Sequence, residues 1–464
     1  MRVSLSSPLV AGIASCALLG GPAQAQTNEQ LKQTLDQALK TIDELKSRVQ
    51  QLESDRDKAR AASPAAAAPA GAAPAAAPSS TWGAPMVSPA TRAEDAKTPD
   101  ADKARVEIYG QVMLDTIYDF KRMNPDWQAT LRPSQIPVNC PGDAGCGADG
   151  AWLFSVRQSS LGLRSFIPTS FGLVKTDLSF DLFGTDGSTS IHWLSIWAEL
   201  GMFGAGQTYS NFMDIDVFPN TIDYWGPSGM VFVRNPQLRV TPWSKDGMSV
   251  AFALEAPNSA IDTGKITEIA PEFGAGFTGW NRLPDLTASW RMDRDWGHVK
   301  ASGILRQVGY QNTLTPDGEP KGHKTGYGLN LTGGFNVFGK DSLNLGFVWG
   351  KAIASYMNDG GVDLAPGQGL RAETVQSIGW LAYYNHVWAE NWSSAIGFSQ
   401  HSQDNTVGQT AAAFKRGSYG NVNLLYTPWK NVLTGLEFVW GELQQYGGAS
   451  ATDYRLQFST KVTF

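Results

Sequence analysis

The chain has 464 residues, 49 of them glycine, with a formal net charge of −6 and only 17% charged residues. That balance argues against a nucleic-acid binder, which carries a basic stripe. No apolar run of about 18 residues follows the first 25, which excludes a transmembrane helix there, while abundant glycine and 11% aromatics suit short strands, turns and interfacial rings.

Residues 1–25 read as a secretory leader. Arg2 supplies the positive end, Leu9 to Leu19 the short apolar region, and Ala23-Gln24-Ala25 a small-x-small cleavage site with a mature start at Gln26. Ile13-Ala14-Ser15-Cys16 offers a rival lipoprotein box, but cleavage there would leave much of the apolar region on the mature side.

Residues 26–61 form a helical segment on the periplasmic side. Leu35, Ile42 and Val49 fall at one position of a heptad, and Leu31, Leu45 and Leu52 at the other. A lone helix cannot bury this stripe, so the pattern predicts a coiled coil. β-Branched residues at the first position favour dimers. Arg48-Val49-Gln50-Gln51-Leu52-Glu53 resembles a trimer-directing pattern and favours a homotrimer with Leu35, Ile42, Leu45, Val49 and Leu52 in its seam. Residues 62–104 are Ala/Pro-rich and then Ser/Thr/Asp-rich, the composition of a semi-extended linker.

From residue 105 to 464 the pattern is one of short alternating strands. The last is the cleanest statement of it. Tyr454, Leu456, Phe458, Thr460, Val462 and Phe464 share one face; Arg455, Gln457, Ser459, Lys461 and Thr463 share the other. In an outer-membrane barrel the apolar face meets lipid and the polar face meets a watery lumen. The aromatic-rich end at Phe464 also resembles the terminal signal by which the barrel-assembly machinery recognises such proteins. Val174, Thr176, Leu178, Phe180 and Leu182 alternate with Lys175, Asp177, Ser179 and Asp181 in the same way. Short turns are expected near 168–170, 202–203, 241–243, 293–295, 338–341, 390–391 and 427–429. Long loops are expected near 120–150, 184–189, 211–229, 257–283, 312–324, 357–372, 403–413 and 445–452. The fold predicted is an all-β transmembrane barrel of about sixteen antiparallel strands. Arg157 and Arg164 cannot share a face without a bulge between them, so either a bulge near Ser159 and Ser160 or an arginine beyond the lipid zone is expected.

Cys140 and Cys146 are the two cysteines left after leader removal, and they predict one disulfide in the first long loop, with a metal pair, which has no histidine nearby, as the alternative. Gly145-Cys-Gly-Ala-Asp-Gly150 matches a dinucleotide fingerprint by chance, since no strand precedes it and no helix follows. The five histidines show no metal-ligand spacing, and no nucleophile motif or P-loop occurs. No catalytic residue, metal or cofactor is therefore assigned, and the chain is not read as an enzyme.

The third long loop is the candidate for function. Asn211 to Trp225 is too apolar for a freely solvated loop, so it is expected to fold into the lumen as a constriction. Asp214, Asp216, Asp223 and Tyr224 would face the opposite wall; packing on the outer rim is the competing arrangement. Arg157, Arg164, Arg234, Arg239, Arg291, Arg306 and Arg455 lie on strands. Inward cations on low-dielectric walls select anions, unless they pair with acids such as Glu107, Asp115, Asp177, Asp181, Glu199 and Glu255.

The chain resembles the DcaP-like porins of Gram-negative outer membranes. The resemblance rests on the leader, the N-terminal coil, the Ala/Pro linker and the opening strand Val106-Glu-Ile-Tyr-Gly-Gln-Val-Met113. It rests also on Ser155-Val-Arg-Gln-Ser-Ser-Leu-Gly-Leu-Arg164 with Ile167-Pro-Thr169, and on Gly206-Gln-Thr-Tyr-Ser210. It implies a trimer of sixteen-stranded barrels in outer-membrane lipid, with periplasmic coils and passive uptake of small, often anionic solutes such as dicarboxylates. A structural anchor that contacts peptidoglycan through the coil is the alternative function.

Overall fold

A computed structural model describes residues 103–142 and 146–464, together with Lys40 and Ser47, which are helical. The leader, residues 62–102 of the linker and the coil positions Leu35, Ile42, Leu45, Val49 and Leu52 lie outside the described residues.

The strands run β1 (Arg105–Asp119), β2 in two pieces (Ala151–Ser155 and Ser160–Thr169), β3 (Gly172–Phe183), β4 (Thr189–Leu200), β5 (Phe203–Tyr209), β6 (Arg234–Lys245), β7 (Met248–Glu255) and β8 (Asp285–Arg294). They continue with β9 (Gly297–Asn312), β10 (Gly322–Asn336), β11 (Ser342–Lys351), β12 (Gln376–Ala389), β13 (Trp392–Asp404), β14 (Phe414–Trp429), β15 (Val432–Gln445) and β16 (Ser450–Thr463). Each pairs antiparallel with the next, and β1 pairs with β16 from Gln111↔Thr463 to Asp119↔Arg455. The result is a closed antiparallel barrel of sixteen strands. Closure leaves no open edge, which a chain embedded in lipid requires. Phe464 seals the seam, exchanging backbone hydrogen bonds with Gly110 at 3.1 Å in both directions.

The face pattern is inverted relative to a water-soluble sheet. On β16, Gln457 and Ser459 are 0% exposed, while the alternating Leu456 and Phe458 are 38% and 49% exposed. Polar residues point inward and apolar residues outward, as the lipid requires. The same holds on β3, where Asp177, Ser179 and Asp181 are buried and Leu178 is exposed.

Connections alternate between two ends. One end carries short turns at 170–171, 201–202, 246–247, 295–296, 337–341, 390–391 and 430–431. The other carries loops at 120–150, 184–188, 210–233, 256–284, 313–321, 352–375, 405–413 and 446–449. Exposed Phe171, Trp243, Trp296, Phe338, Trp388 and Trp429 gather at the short-turn end, the level of an interfacial aromatic girdle.

Two expected turns are strand instead. Thr241-Pro242-Trp243 and Thr427-Pro428-Trp429 lie inside β6 and β14, at register shifts between Val240 and Trp243 and between Tyr426 and Trp429. Proline lacks the N–H that a ladder needs, so it marks a bulge here rather than a reversal. The first reversal comes at Asp246 and Gly247, both with positive φ (53° and 67°), as a two-residue hairpin turn demands. The expected bulge beside Arg157 and Arg164 is present as the break between Ser155 and Ser160.

Candidate functional site: the loop across the lumen

The segment 210–233 leaves β5, runs through the barrel interior and returns to β6. Its start is pinned by Glu255 at the top of β7. That carboxylate accepts the Ser210 hydroxyl at 3.0 Å, the Asn211 N–H at 2.9 Å and the Thr287 hydroxyl at 2.8 Å. Phe212, Val217 and Phe218 then pack against inward-facing Ile304, Val348, Leu381 and Tyr383. This apolar cluster explains why so greasy a loop leaves water: burying each large side chain contributes about 1.5–3 kcal/mol.

Polar contacts fix the loop's register. Asp214 caps the short helical turn Ile215–Val217. It meets Arg291 at 3.3 Å, His298 at 3.0 Å and the Thr332 hydroxyl at 2.6 Å. Asp216 lies 2.6 Å from Arg291, and Lys300 donates to the Met213 carbonyl. Asp214, Asp216 and His298 are close enough to hold a cation. Arg291 already bonds both aspartates, so the cluster is an ion-pair network.

At the far wall the loop tip sits on Glu437 of β15. Glu437 accepts the Thr221 hydroxyl at 2.6 Å and the Ile222 and Asp223 N–H groups at 3.1 and 3.0 Å. Gln158 and Gln457 both donate to the Ile222 carbonyl at 2.9 Å. Asp223 accepts from Thr130, the Leu131 N–H and Tyr419. Burial pushes the Asp223 carboxyl up. Burial would raise Asp214 too, but His298, Lys300 and Arg291 outweigh it and hold that carboxyl below its ordinary range. The Tyr224 hydroxyl donates to Asp181 at 2.6 Å, and its ring stacks on Phe183 at 4.0 Å.

The first long loop locks over the third. Arg132 is sandwiched between Trp127 and Trp225, with its guanidinium 4.1 and 3.9 Å from the two ring centres, and pairs with Asp359 at 3.0 Å. Cys140 and Cys146 of the same loop form a disulfide.

Among the candidate strand arginines, Arg164 meets Asp177, Arg291 the carboxylates named above, Arg306 Asp285 and Asp363, and Arg455 Asp119 and Asp453. Arg306 and Arg455 are fully buried side chains, so they do not face open lumen. Arg239 bonds Gln237 and the Tyr209 carbonyl. Arg157 bonds the Thr189 hydroxyl, and Arg234 bonds the Tyr209 hydroxyl at 2.7 Å while covering that ring. Neither of these two has an ion pair among the described residues. Of the acids expected to pair, Asp177 does so with Arg164 and Glu107 with Arg105. Asp115 accepts from Ser459, Gln457 and Gln158, Asp181 from Tyr224, and Glu255 holds the loop.

Between the loop and the wall built from β1 to β6 lies a cavity of about 300 Å³. Its polar lining includes Gln111, Asp181, His192, Asp223, Tyr224 and Arg234. Sequence reasoning missed Glu437 as the loop's socket. A mid-strand glutamate facing inward, with asparagines as its neighbours on β14, was the available signal.

The profile of the DcaP outer membrane protein family matches residues 86–460. The crystal structure of the outer membrane channel DcaP of Acinetobacter baumannii superposes with a TM-score of 0.66 at 21% identity, covering 78% of this chain and 98% of that one. An anion-selective porin from Comamonas acidovorans follows at a TM-score of 0.50 and 9% identity, covering 78% and 100%. No curated protein sequence matches. With its closed inverted barrel and this match over most of its length, the chain belongs to the DcaP outer membrane protein family.

Proposed function

We propose that the protein is a trimeric outer-membrane channel for passive diffusion of small hydrophilic solutes, with a preference for anions of the dicarboxylate type. The long loops face the exterior, and the segment 210–233 sets the constriction. The observation that carries the reading is the cavity beside that segment and the arginine on it. Arg234 is half-buried there with no carboxylate within ion-pair distance among the described residues, whereas the acids on the same lining are engaged, Asp181 by Tyr224 and by His192 at 3.2 Å and Asp223 by Thr130, the Leu131 N–H and Tyr419. An unpaired cation in a low-dielectric constriction concentrates anions and repels cations. A planar guanidinium is suited to a carboxylate.

The test is single-channel recording in a planar bilayer, with the reversal potential measured under a salt gradient. The expected record closes in three steps and reverses on the anion-selective side. A folded barrel that never conducts would overturn the reading.

A further inference from the structure

We propose that the long-loop end of the barrel carries a second, separate binding site, for a small amphipathic anion. Its ligand is a small aromatic or aliphatic body bearing one carboxylate. The inference goes beyond the channel reading and does not depend on it.

The site is built by three loops. In the loop 256–284, two one-turn helices, α1 (Lys265–Ile269) and α2 (Pro271–Ala275), precede the short run Phe277–Gly279, which pairs with the top of β9. In the loop 352–375, Leu364–Pro366 pairs with Ala372–Thr374. The loops are tied through backbone. The Asp262 N–H reaches the Leu364 carbonyl at 2.9 Å, and the Lys265 N–H reaches Gly408 of the loop 405–413 at 2.8 Å. Phe273 and Phe277 meet edge to face at 5.6 Å, and Phe277 lies 6.3 Å from Tyr310. The pocket is therefore formed before any ligand arrives, which lowers the ordering cost of binding.

The cavity measures about 550 Å³, and Ile266, Ile269, Phe273, Phe277, Tyr310 and Leu364 supply its apolar wall. Small-molecule pockets have this size and character, with a few placed polar groups that fix orientation. Here the placed groups are cationic. Lys324 and Arg371 line the opening, both exposed, and neither side chain has a hydrogen bond or ion pair among the described residues. The acid on the lining, Asp262, is already used. One of its oxygens accepts the Gly264 N–H at 2.7 Å and the other the Gln409 amide at 2.8 Å. The charge left unspent is positive, beside an apolar wall, and an arginine fork suits a carboxylate. None of these lining residues lines the cavity beside Arg234, so the two sites can be tested apart.

The experiment uses full-length protein in phosphatidylcholine nanodiscs, with 2-naphthoate as probe and 2-naphthol as its uncharged counterpart, read by saturation-transfer NMR titration. Wild type should bind 2-naphthoate saturably. The double variant Lys324→Ala/Arg371→Ala should bind it at least tenfold more weakly while binding 2-naphthol as wild type does. Ile266→Glu, which sets a carboxylate into the wall, should abolish both. Channel conductance of each variant should equal that of wild type, which separates loss of this site from loss of the barrel. No saturable binding, or equal 2-naphthoate affinity in wild type and the double variant, would overturn the proposal. If Ile266→Glu does not fold, the double variant alone decides.

Discussion

Thr221 and Glu437 stand 216 positions apart in the chain, and their side chains meet at 2.6 Å in the middle of the barrel. That contact joins the tip of the third long loop to the wall opposite its own strands. Asn421 and Asn423 donate to the same carboxylate at 2.9 and 2.7 Å, so one buried side chain organises five donors. Replacing it with alanine takes that acceptor from all five, although Asn423 keeps a second one in the Asn220 carbonyl, and each orphaned buried group costs about 1–3 kcal/mol. We expect Glu437→Ala to lower barrel stability by several such increments and to give a larger, noisier single-channel current as the tip comes loose. Glu437→Gln keeps one acceptor oxygen and should fall between. Denaturant unfolding in lipid and bilayer recordings check both. A quiet Glu437→Ala channel of wild-type conductance would mean that Gln158 and Gln457 hold the tip by themselves.

Charge at the cavity gives the second prediction. Arg234→Glu replaces an unpaired cation with an anion on the cavity wall, so the reversal potential should move toward cation selectivity, and more so at low salt, where screening is weak. Arg455→Gln is the contrast. Its guanidinium is buried between Asp119 and Asp453, so its loss should cost about 3–5 kcal/mol of stability and leave selectivity nearly unchanged. An unmoved reversal potential in Arg234→Glu would place that residue outside the conduction path.

Most of the barrel is legible because lipid enforces period two on every strand. Leu456, Gln457, Phe458 and Ser459 announce their faces without any tertiary information. The greasy segment Phe212–Phe218 is legible for a related reason: a loop that apolar must find a partner, and in a barrel the lumen offers one. What escapes the sequence is pairing across the lumen. Asp363 belongs to a loop, Arg306 to a strand, and they lie 3.6 Å apart only because the loop folds inward. Bulges escape too. Pro242 and Pro428 read as turns, although Asp246-Gly247 a few residues on was the stronger reversal signal.

The third prediction concerns the short-turn end. Asp341 is buried in the turn between β10 and β11. Burial alone would raise its carboxyl, but hydrogen bonds from the Tyr384 hydroxyl, the Val387 N–H at 2.9 Å and His386 at 2.7 Å outweigh it and hold it down at about 2. The unfolded carboxyl titrates near 3.9. A folded value below the unfolded one adds stability that is complete above about pH 4 and disappears as pH falls through about 2. Asp341→Asn should therefore unfold at a lower temperature than wild type at pH 6, with the gap closing by about pH 2. A gap of the same size at both pH values would assign the turn's stability to packing alone.

The lipid face supplies the last. Phe458 is 49% exposed and lies midway along β16, opposite Leu436 on β15 and Thr116 on β1. At that depth no water is available to solvate a cation, and arginine on the outer face of a membrane barrel costs about 2–4 kcal/mol at the midplane and little near the interfaces. Phe458→Arg should therefore cost about that much in denaturant unfolding from phosphatidylcholine vesicles. Trp429→Arg, at the short-turn rim, should cost about 1 kcal/mol or less. The difference between the two is the informative quantity, because both exchange an exposed aromatic ring for the same cation at two depths. It places β16 at full depth in the bilayer and Trp429 at its edge. Equal costs would mean that the apolar face around Phe458 is covered by protein rather than lipid, which would mark β16 and its neighbours as a contact between copies of the barrel.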